Sequence, residues 1–204
     1  RAVAEVKGTV VEIHPLLVSG SLVKAGTVLA KLHPGDYELA LARWRATVAE
    51  TRAKLAELGA EESGKQASLA IEKRSFALAQ RSLERVRTLL KSKATTPDQL
   101  DREERSVLQQ ELLIQQLEAA LALVPARRDA LEAALAGQQA NLEQARVDLE
   151  RTTIQAPFDC RLGEVNLQQG QFLAAGQVLF EAHGTAVVEV QAMFRPEQMR
   201  RLLD

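Results

Sequence analysis

An apolar residue at every seventh position, held in phase over two long stretches, is the feature that most narrows what this chain can fold into. The first stretch runs Leu41, Val48, Leu55, Glu62, Leu69, Phe76, Leu83, Leu90, and the second Leu100, Val107, Ile114, Leu121, Arg128, Leu135, Leu142, Leu149. Fourteen of these sixteen positions are apolar. A strict seven-residue repeat is what a helix needs to keep one seam turned toward a partner helix. The surrounding residues, 36–153, are rich in Ala, Leu, Glu, Arg and Gln, the strong helix formers. Between the two stretches, Thr96-Pro97-Asp98-Gln99 offers a capping hydroxyl, a proline for the first helical position and a glutamine at the capping-box position. The pattern predicts an antiparallel helical hairpin turning near 93–96, with arms of roughly 85 Å at about 1.5 Å per residue.

Two polar residues interrupt the repeat, and they fall at matching heights from the turn. Glu62 and Arg128 are nearly equidistant from it, and so are Gly64 and Pro125. The expectation is a joint near 59–64 and 125–128, with an ion pair in the seam and weakened helix geometry in both arms. The alternative is that Gly59, Gly64 and Pro125 end the helices outright and the region folds as a short four-helix bundle.

Strand chemistry flanks this region on both sides. Residues 1–35 and 154–194 alternate β-branched residues with Gly and Pro, and six of the seven aromatics lie outside 45–157. The two flanks repeat each other: GSLVKAGTVL at 20–29 matches GQFLAAGQVL at 170–179. Gly20 aligns with Gly170 and Gly26 with Gly176, and glycines six apart suit two turns that need positive φ around a short strand. A strand half, a helical hairpin and a second similar strand half imply one β-domain split by an insertion.

Several function classes fall away. Lys and Arg number 26 against 27 Asp and Glu, so no basic bias points to nucleic acid. A single cysteine excludes an internal disulfide, and no apolar run approaches the ~20 residues of a membrane span. His14, His33 and His183 are dispersed, and Met193 and Met199 stand apart from them, so no soft-metal site is expected. Cys160 reads as a small, partly buried hydrophobe. No paired-carboxylate, Ser/His/Asp or phosphate-loop arrangement rises above chance, so neither enzyme activity nor a cofactor is expected. Arg1 stands where an initiator methionine is absent, which reads as a processed or trimmed piece.

At this point the sequence resembles the periplasmic adaptor, or membrane fusion protein, family of tripartite efflux and secretion systems. The residues that carry the resemblance are GTVVEI, GSLVKAGTVLAKLHPGDYELALARWRA on entry to the helices, and DLERTTIQAPFDCRLGEV with QGQFLAAGQVL on exit. The resemblance implies an α+β chain: a split lipoyl/biotinyl-like β-sandwich interrupted by a long antiparallel coiled-coil hairpin. Its parts would be 1–35 and 154–186 for the two halves of the lipoyl-like domain, and 36–153 for the hairpin. Residues 187–204 would open a β-barrel domain. Cys160 replaces a glycine common in the family's APF-x-G turn, and its β-carbon restricts φ there.

The resemblance also implies partners. They are an inner-membrane transporter, an outer-membrane channel and further copies of the chain in a ring, commonly a hexamer. The location would be the periplasm, with attachment to the inner membrane through a segment outside this chain. The stretches LAKLHPGDYELALARW and VVEVQAMFRPEQM favour a transporter of the resistance-nodulation-division type; an ABC-type or type I secretion partner is the alternative. Channel-docking adaptors carry Arg-x3-Leu-x6-Ser at the hairpin tip, and here Arg85, Leu89 and Thr96 stand at that spacing. Arg81, Arg85, Arg87, Lys91 and Lys93 on the first arm face Asp98, Asp101, Glu103 and Glu104 on the second, for pairing within the hairpin or between hairpins. A biotin or lipoyl carrier would need a lysine at a hairpin tip; 14–19 and 166–169 hold none, and Lys24 reads as a solvated strand residue. A purely structural coiled coil leaves the duplicated flanks unexplained.

Overall fold

The computed structural model describes residues 1–185. The expected β-barrel opening at 187–204 therefore lies outside the described residues. The chain divides into two compact units, one formed by 1–41 with the residues from 144 onward, the other by 42–143.

In the first unit, two four-stranded antiparallel sheets each draw two strands from either flank. The first flank supplies β1 (Ala2–Val3), β2 (Gly8–Ile13), β3 (Leu22–Val23) and β4 (Val28–Leu32). The second supplies β5 (Thr153–Gln155), β6 (Cys160–Val165), β7 (Phe172–Leu173) and β8 (Val178–Gly184). The sheets run β1-β8-β6-β3 and β5-β4-β2-β7. Exchanging each strand for its counterpart in the other flank converts one sheet order into the other. The repeat in the sequence is thus a two-fold pseudo-symmetry in space.

The hydrogen bonds obey the same symmetry. Val10 N–H donates to Gln171 O and accepts at its own carbonyl from Gly170 N–H, both at 2.9 Å. Leu162 does the same with Ser21 O (2.9 Å) and Gly20 N–H (2.7 Å). Ala4 exchanges bonds with Gln177 and Gly176, as Ala156 does with Thr27 and Gly26. Gly20, Gly26, Gly170 and Gly176 have φ of 89°, 76°, 80° and 85°. Each of these glycines therefore turns its own flank and donates its N–H to the other. A β-carbon at any of the four would meet nothing within 4 Å, so the positive φ alone calls for glycine. The core between the sheets is equally paired, with Leu29 and Leu179 both at 0% exposure and Val10 and Leu162 both at 1%.

Cys160 is the structural counterpart of Gly8. It begins β6 opposite Val23, is buried, and is not among the residues with positive φ. The expected conflict between its β-carbon and a turn does not arise, because the position is extended strand that any residue adopts. Lys24 is also placed differently from the sequence reading. It opens the turn at 24–27 after β3 rather than lying in a strand, and its carbonyl accepts from Thr27 N–H.

The helices form a hairpin, not a four-helix bundle. The first, α1 (Gly35–Lys91), is one uninterrupted helix of 57 residues. The return arm is α2 (Pro97–Ala122) followed by α3 (Val124–Glu150), separated only by Leu123. All sixteen positions of the seven-residue repeat are buried or half-buried. A second column lies three residues further on: Trp44, Thr51, Leu58, Lys65, Glu72, Ala79 and Val86 in the first arm. In the return arm it is Glu103, Gln110, Leu117, Val124, Leu131, Gln138 and Ala145, and no member of either column is exposed. Together the columns make the alternating three-and-four spacing of a coiled-coil seam. The second column is unusually polar. Its Gln110 and Gln138 each bury a side-chain oxygen with no hydrogen-bond partner.

Candidate functional site

The hairpin tip is built by two helix ends that stop for different reasons. Lys93 takes φ 57°, the left-handed conformation that usually goes to glycine. With it, Ala94 N–H reaches Leu89 O at 2.9 Å and Lys93 N–H reaches Leu90 O at 3.0 Å, the paired bonds of a Schellman motif. Thr96 then starts α2: its backbone is extended and its hydroxyl accepts from Gln99 N–H at 3.4 Å. The capping box closes only halfway, because the Gln99 amide donates forward to Glu103 Oε1 at 3.3 Å. Pro97 occupies the first turn, where a missing N–H costs nothing.

Of the three docking candidates, Arg85 and Leu89 are exposed and sit four residues apart on one face of α1. Thr96 lies past the turn with its hydroxyl engaged as a cap. The charged residues near the tip are only partly paired with one another. Arg87 bonds Glu104 at 3.0 Å across the hairpin, and Arg102 bonds Asp98 at 2.6 Å along α2. Arg81, Arg85, Lys91 and Lys93 form no ion pair within the described residues, which leaves the end of the first arm with free positive charge.

At mid-height, Glu62 and Arg128 pair across the seam, with side chains a quarter and two-fifths exposed. The interruption beside them lies in the return arm alone. Pro125 has no N–H for Leu121 O, which instead takes the N–H of Leu123, and the helix restarts at Val124. In the first arm α1 runs unbroken through Gly59 and Gly64, contrary to the expectation of weakened geometry in both arms. Glycine keeps its N–H, so the helical ladder continues through it. Ser63 Oγ and Ser68 Oγ further tie back to the carbonyls of Gly59 and Gly64 at 2.9 and 3.1 Å.

In the first unit, the chain leaves for the helices and returns beside itself. Lys31 in β4 pairs with Thr153 in β5, and Leu32 N–H donates to Thr152 O at 2.8 Å. Tyr37, in the first turn of α1, donates its hydroxyl to Lys7 O at 2.7 Å, and Arg151 pairs with Glu5 at 2.5 Å. Burial, and then the carboxylates of Asp148 and Asp36, push the Tyr37 phenol up from its ordinary value. Burial and Asp159 likewise push the Cys160 thiol up, so it is held neutral and unreactive. Sequence reasoning did not anticipate Tyr37, Arg151 or Lys93, whose roles come from contacts distant in sequence or from a backbone conformation without glycine. Among the described residues no group of His, Cys, Asp and Glu could hold a metal ion, and no helix is long and apolar enough to cross a membrane.

A helical hairpin inserted in sequence between the two halves of a two-fold, interlocked β-unit is the arrangement with which known proteins can be compared. No family model matches the chain. It is 28% identical over 212 residues to the multidrug resistance protein MdtN of Shigella flexneri, covering 98% of this chain and 61% of that protein. It is also 28% identical over 220 residues to the fatty acid resistance protein FarA of Neisseria gonorrhoeae, with 98% and 54% covered. The membrane fusion protein Spr0693 of Streptococcus pneumoniae R6 has a similar fold, with a TM-score of 0.50 at 16% identity over 86% of this chain and 54% of that one. The chain thus spans a little over half the length of the curated relatives it matches. The resemblance to periplasmic adaptors carried by the sequence is borne out.

Proposed function

We propose that this chain is the central part of a non-enzymatic periplasmic adaptor of an efflux system. In this reading the β-unit is the lipoyl-like domain. The adaptor would attach to the inner membrane beside its transporter through a segment outside this chain. Its hairpin tip, at Arg85, Leu89 and Thr96, would engage an outer-membrane channel, and several copies would assemble into a ring, commonly a hexamer, through which drugs or other small molecules leave. The observation that carries the reading is a long helical hairpin inserted in sequence between two flanks that clip onto each other. Arg85 suits docking because it is exposed, forms no ion pair among the described residues and is able to grip carbonyls and carboxylates with five donors. Leu89 adds exposed apolar surface one turn nearer the tip. Thr96 acts by fixing the direction in which the chain turns back.

The class of transporter is a finer matter. A resistance-nodulation-division partner rests on the resemblance in LAKLHPGDYELALARW and in VVEVQAMFRPEQM, the latter outside the described residues, with an ABC-type or type I secretion partner as the alternative. The joint at Glu62, Gly64, Pro125 and Arg128 would let the return arm bend while α1 stays whole.

The test is export in a strain lacking the gene, read as accumulation of a fluorescent efflux substrate. The native gene should restore low accumulation. The Arg85→Glu, Leu89→Asp variant should accumulate dye as the deletion does, at unchanged protein level. Full restoration by that variant would remove the tip from the mechanism.

A further inference from the structure

The duplicated β-unit contains its own comparison, because positions in one half have counterparts in the other. Phe172 of β7 stands opposite Thr9 of β2, and at the equivalent place Leu22 of β3 stands opposite Arg161 of β6. Val11, two residues after Thr9, corresponds to Gly163, and His33 corresponds to His183. The two histidines are used differently. A β-carbon built on Gly163 would lie 2.9 Å from His183 Nε2, so that ring takes the room which the glycine leaves. His33 instead accepts from Gly35 N–H at 3.3 Å, at the start of α1. Val11 is left 40% exposed, and Phe172 63% exposed.

Val11 and Phe172 line a cleft of about 710 Å³ that lies wholly within the first unit. Sites for drug-sized molecules run roughly 300–1,000 Å³. Tyr37 adds its ring to the lining, since its hydroxyl is already engaged with Lys7 O. The charges that line the cleft are the carboxylates of Asp36 and Asp148 and the ammonium of Lys7. Asp36 and Lys7 form no ion pair among the described residues. Asp148 accepts from Gln144 at 2.8 Å and lies 3.7 Å from Arg151, whose guanidinium is closer to Glu5 at 2.5 Å. After burial, it is these two carboxylates that push the Tyr37 phenol up, so negative potential bears on that ring.

We propose that this cleft binds a lipophilic organic cation, with its charge toward Asp36 and Asp148 and its apolar body on Phe172 and Val11. A cation is attracted both by the carboxylates and by the faces of aromatic rings, whereas an organic anion would meet two like charges for one opposite charge. The other half of the β-unit does not repeat the site. Arg161 brings a positive charge where Thr9 stands, and His183 takes the room beside Gly163. The site gives the efflux reading above a substrate class, and its part in export rests on that reading.

The experiment is isothermal titration calorimetry of the purified chain, in sodium buffer, with two ions of matching shape and opposite charge. Tetraphenylphosphonium, the cation, should bind saturably, and tetraphenylborate, the anion, should not. Phe172→Ala and Asp36→Asn replace exposed residues and should each weaken cation binding about fivefold. Leu22→Ala, at the counterpart of Phe172 and 61% exposed, should leave it unchanged. No binding of the cation, equal binding of the anion, or equal weakening by Leu22→Ala would overturn the site. Export in the strain lacking the gene is the parallel arm. A native gene that restores export while its purified product binds no cation would overturn the site and leave the adaptor reading in place. A product that binds the cation, from a gene that restores no export, would overturn the adaptor reading and leave the site.

Discussion

If each turn glycine closes one flank onto the other, replacing it should loosen the β-unit by a calculable amount. An alanine at φ near 80° costs about 1–2 kcal/mol, because its β-carbon approaches the following carbonyl. No other atom lies within 4 Å of that β-carbon, so no clash adds to the cost. The unfolded chain with alanine has fewer conformations to lose, which offsets about 0.4–1 kcal/mol. The net loss is ~1 kcal/mol per site, about fivefold in the opening equilibrium. Cys160 supplies the assay, since it is 1% exposed between the sheets and reacts with a thiol reagent only when the β-unit opens. Gly20→Ala and Gly170→Ala should each raise its labelling rate about fivefold, and by similar factors, because the two glycines clip onto the equivalent carbonyls of Leu162 and Val10. Gly137→Ala, in the exposed interior of α3, is the control and should leave the rate unchanged. Labelling of Gly20→Ala and Gly170→Ala at the native rate would refute the argument, as would an equal rise in the Gly137→Ala control.

Three other outcomes follow from particular contacts. Pro125→Ala supplies the helical N–H in whose place Leu121 O takes that of Leu123, and should raise the return arm's helix stability by up to about 3 kcal/mol in far-UV circular dichroism; reduced export would accompany it if the joint bends in use. Removing either Glu62 or Arg128 should cost roughly 1 kcal/mol in urea unfolding, with a coupling energy below ~1 kcal/mol in the double-mutant cycle, because both side chains keep contact with solvent. The Cys160 thiol is raised in the folded protein, so its contribution to stability is complete below the unfolded thiol's value of about 8.5 and is lost as pH climbs beyond it. A stability profile that falls above that pH in the native chain and flattens in Cys160→Ala is the expected result.

The hairpin was readable in the sequence because its first seam column is almost wholly apolar, so a period of seven stands out. The second column was not, since Thr51, Lys65, Glu72, Glu103, Gln110 and Gln138 read as solvated. Long polar side chains bury their stems along a seam while their heads seek water, and only the constant three-residue offset from the first column could have located them. Glycine and proline had looked equivalent as helix breakers at mid-height. The structure separates them by the one property that differs, the backbone N–H. At the turn, Thr96 and Pro97 signal the start of α2 clearly, whereas the stop of α1 falls on Lys93, a residue whose identity gives no hint of positive φ. The duplicated flanks disclose the repeat and the glycine turns. They do not disclose that each sheet takes two strands from either flank, because strand pairing across 150 residues leaves no local mark.

The central claim, that the hairpin tip meets a partner spanning the outer membrane, is tested most directly by cross-linking in cells. Single cysteines at Lys93 and Thr96, with Cys160→Ala, place a probe on either side of the turn, and one at Ala53 places a control far down the first arm. The account predicts adducts with an outer-membrane channel from the two turn positions and none from Ala53. Turn cysteines that label readily with a soluble thiol reagent yet yield no channel adduct would contradict it.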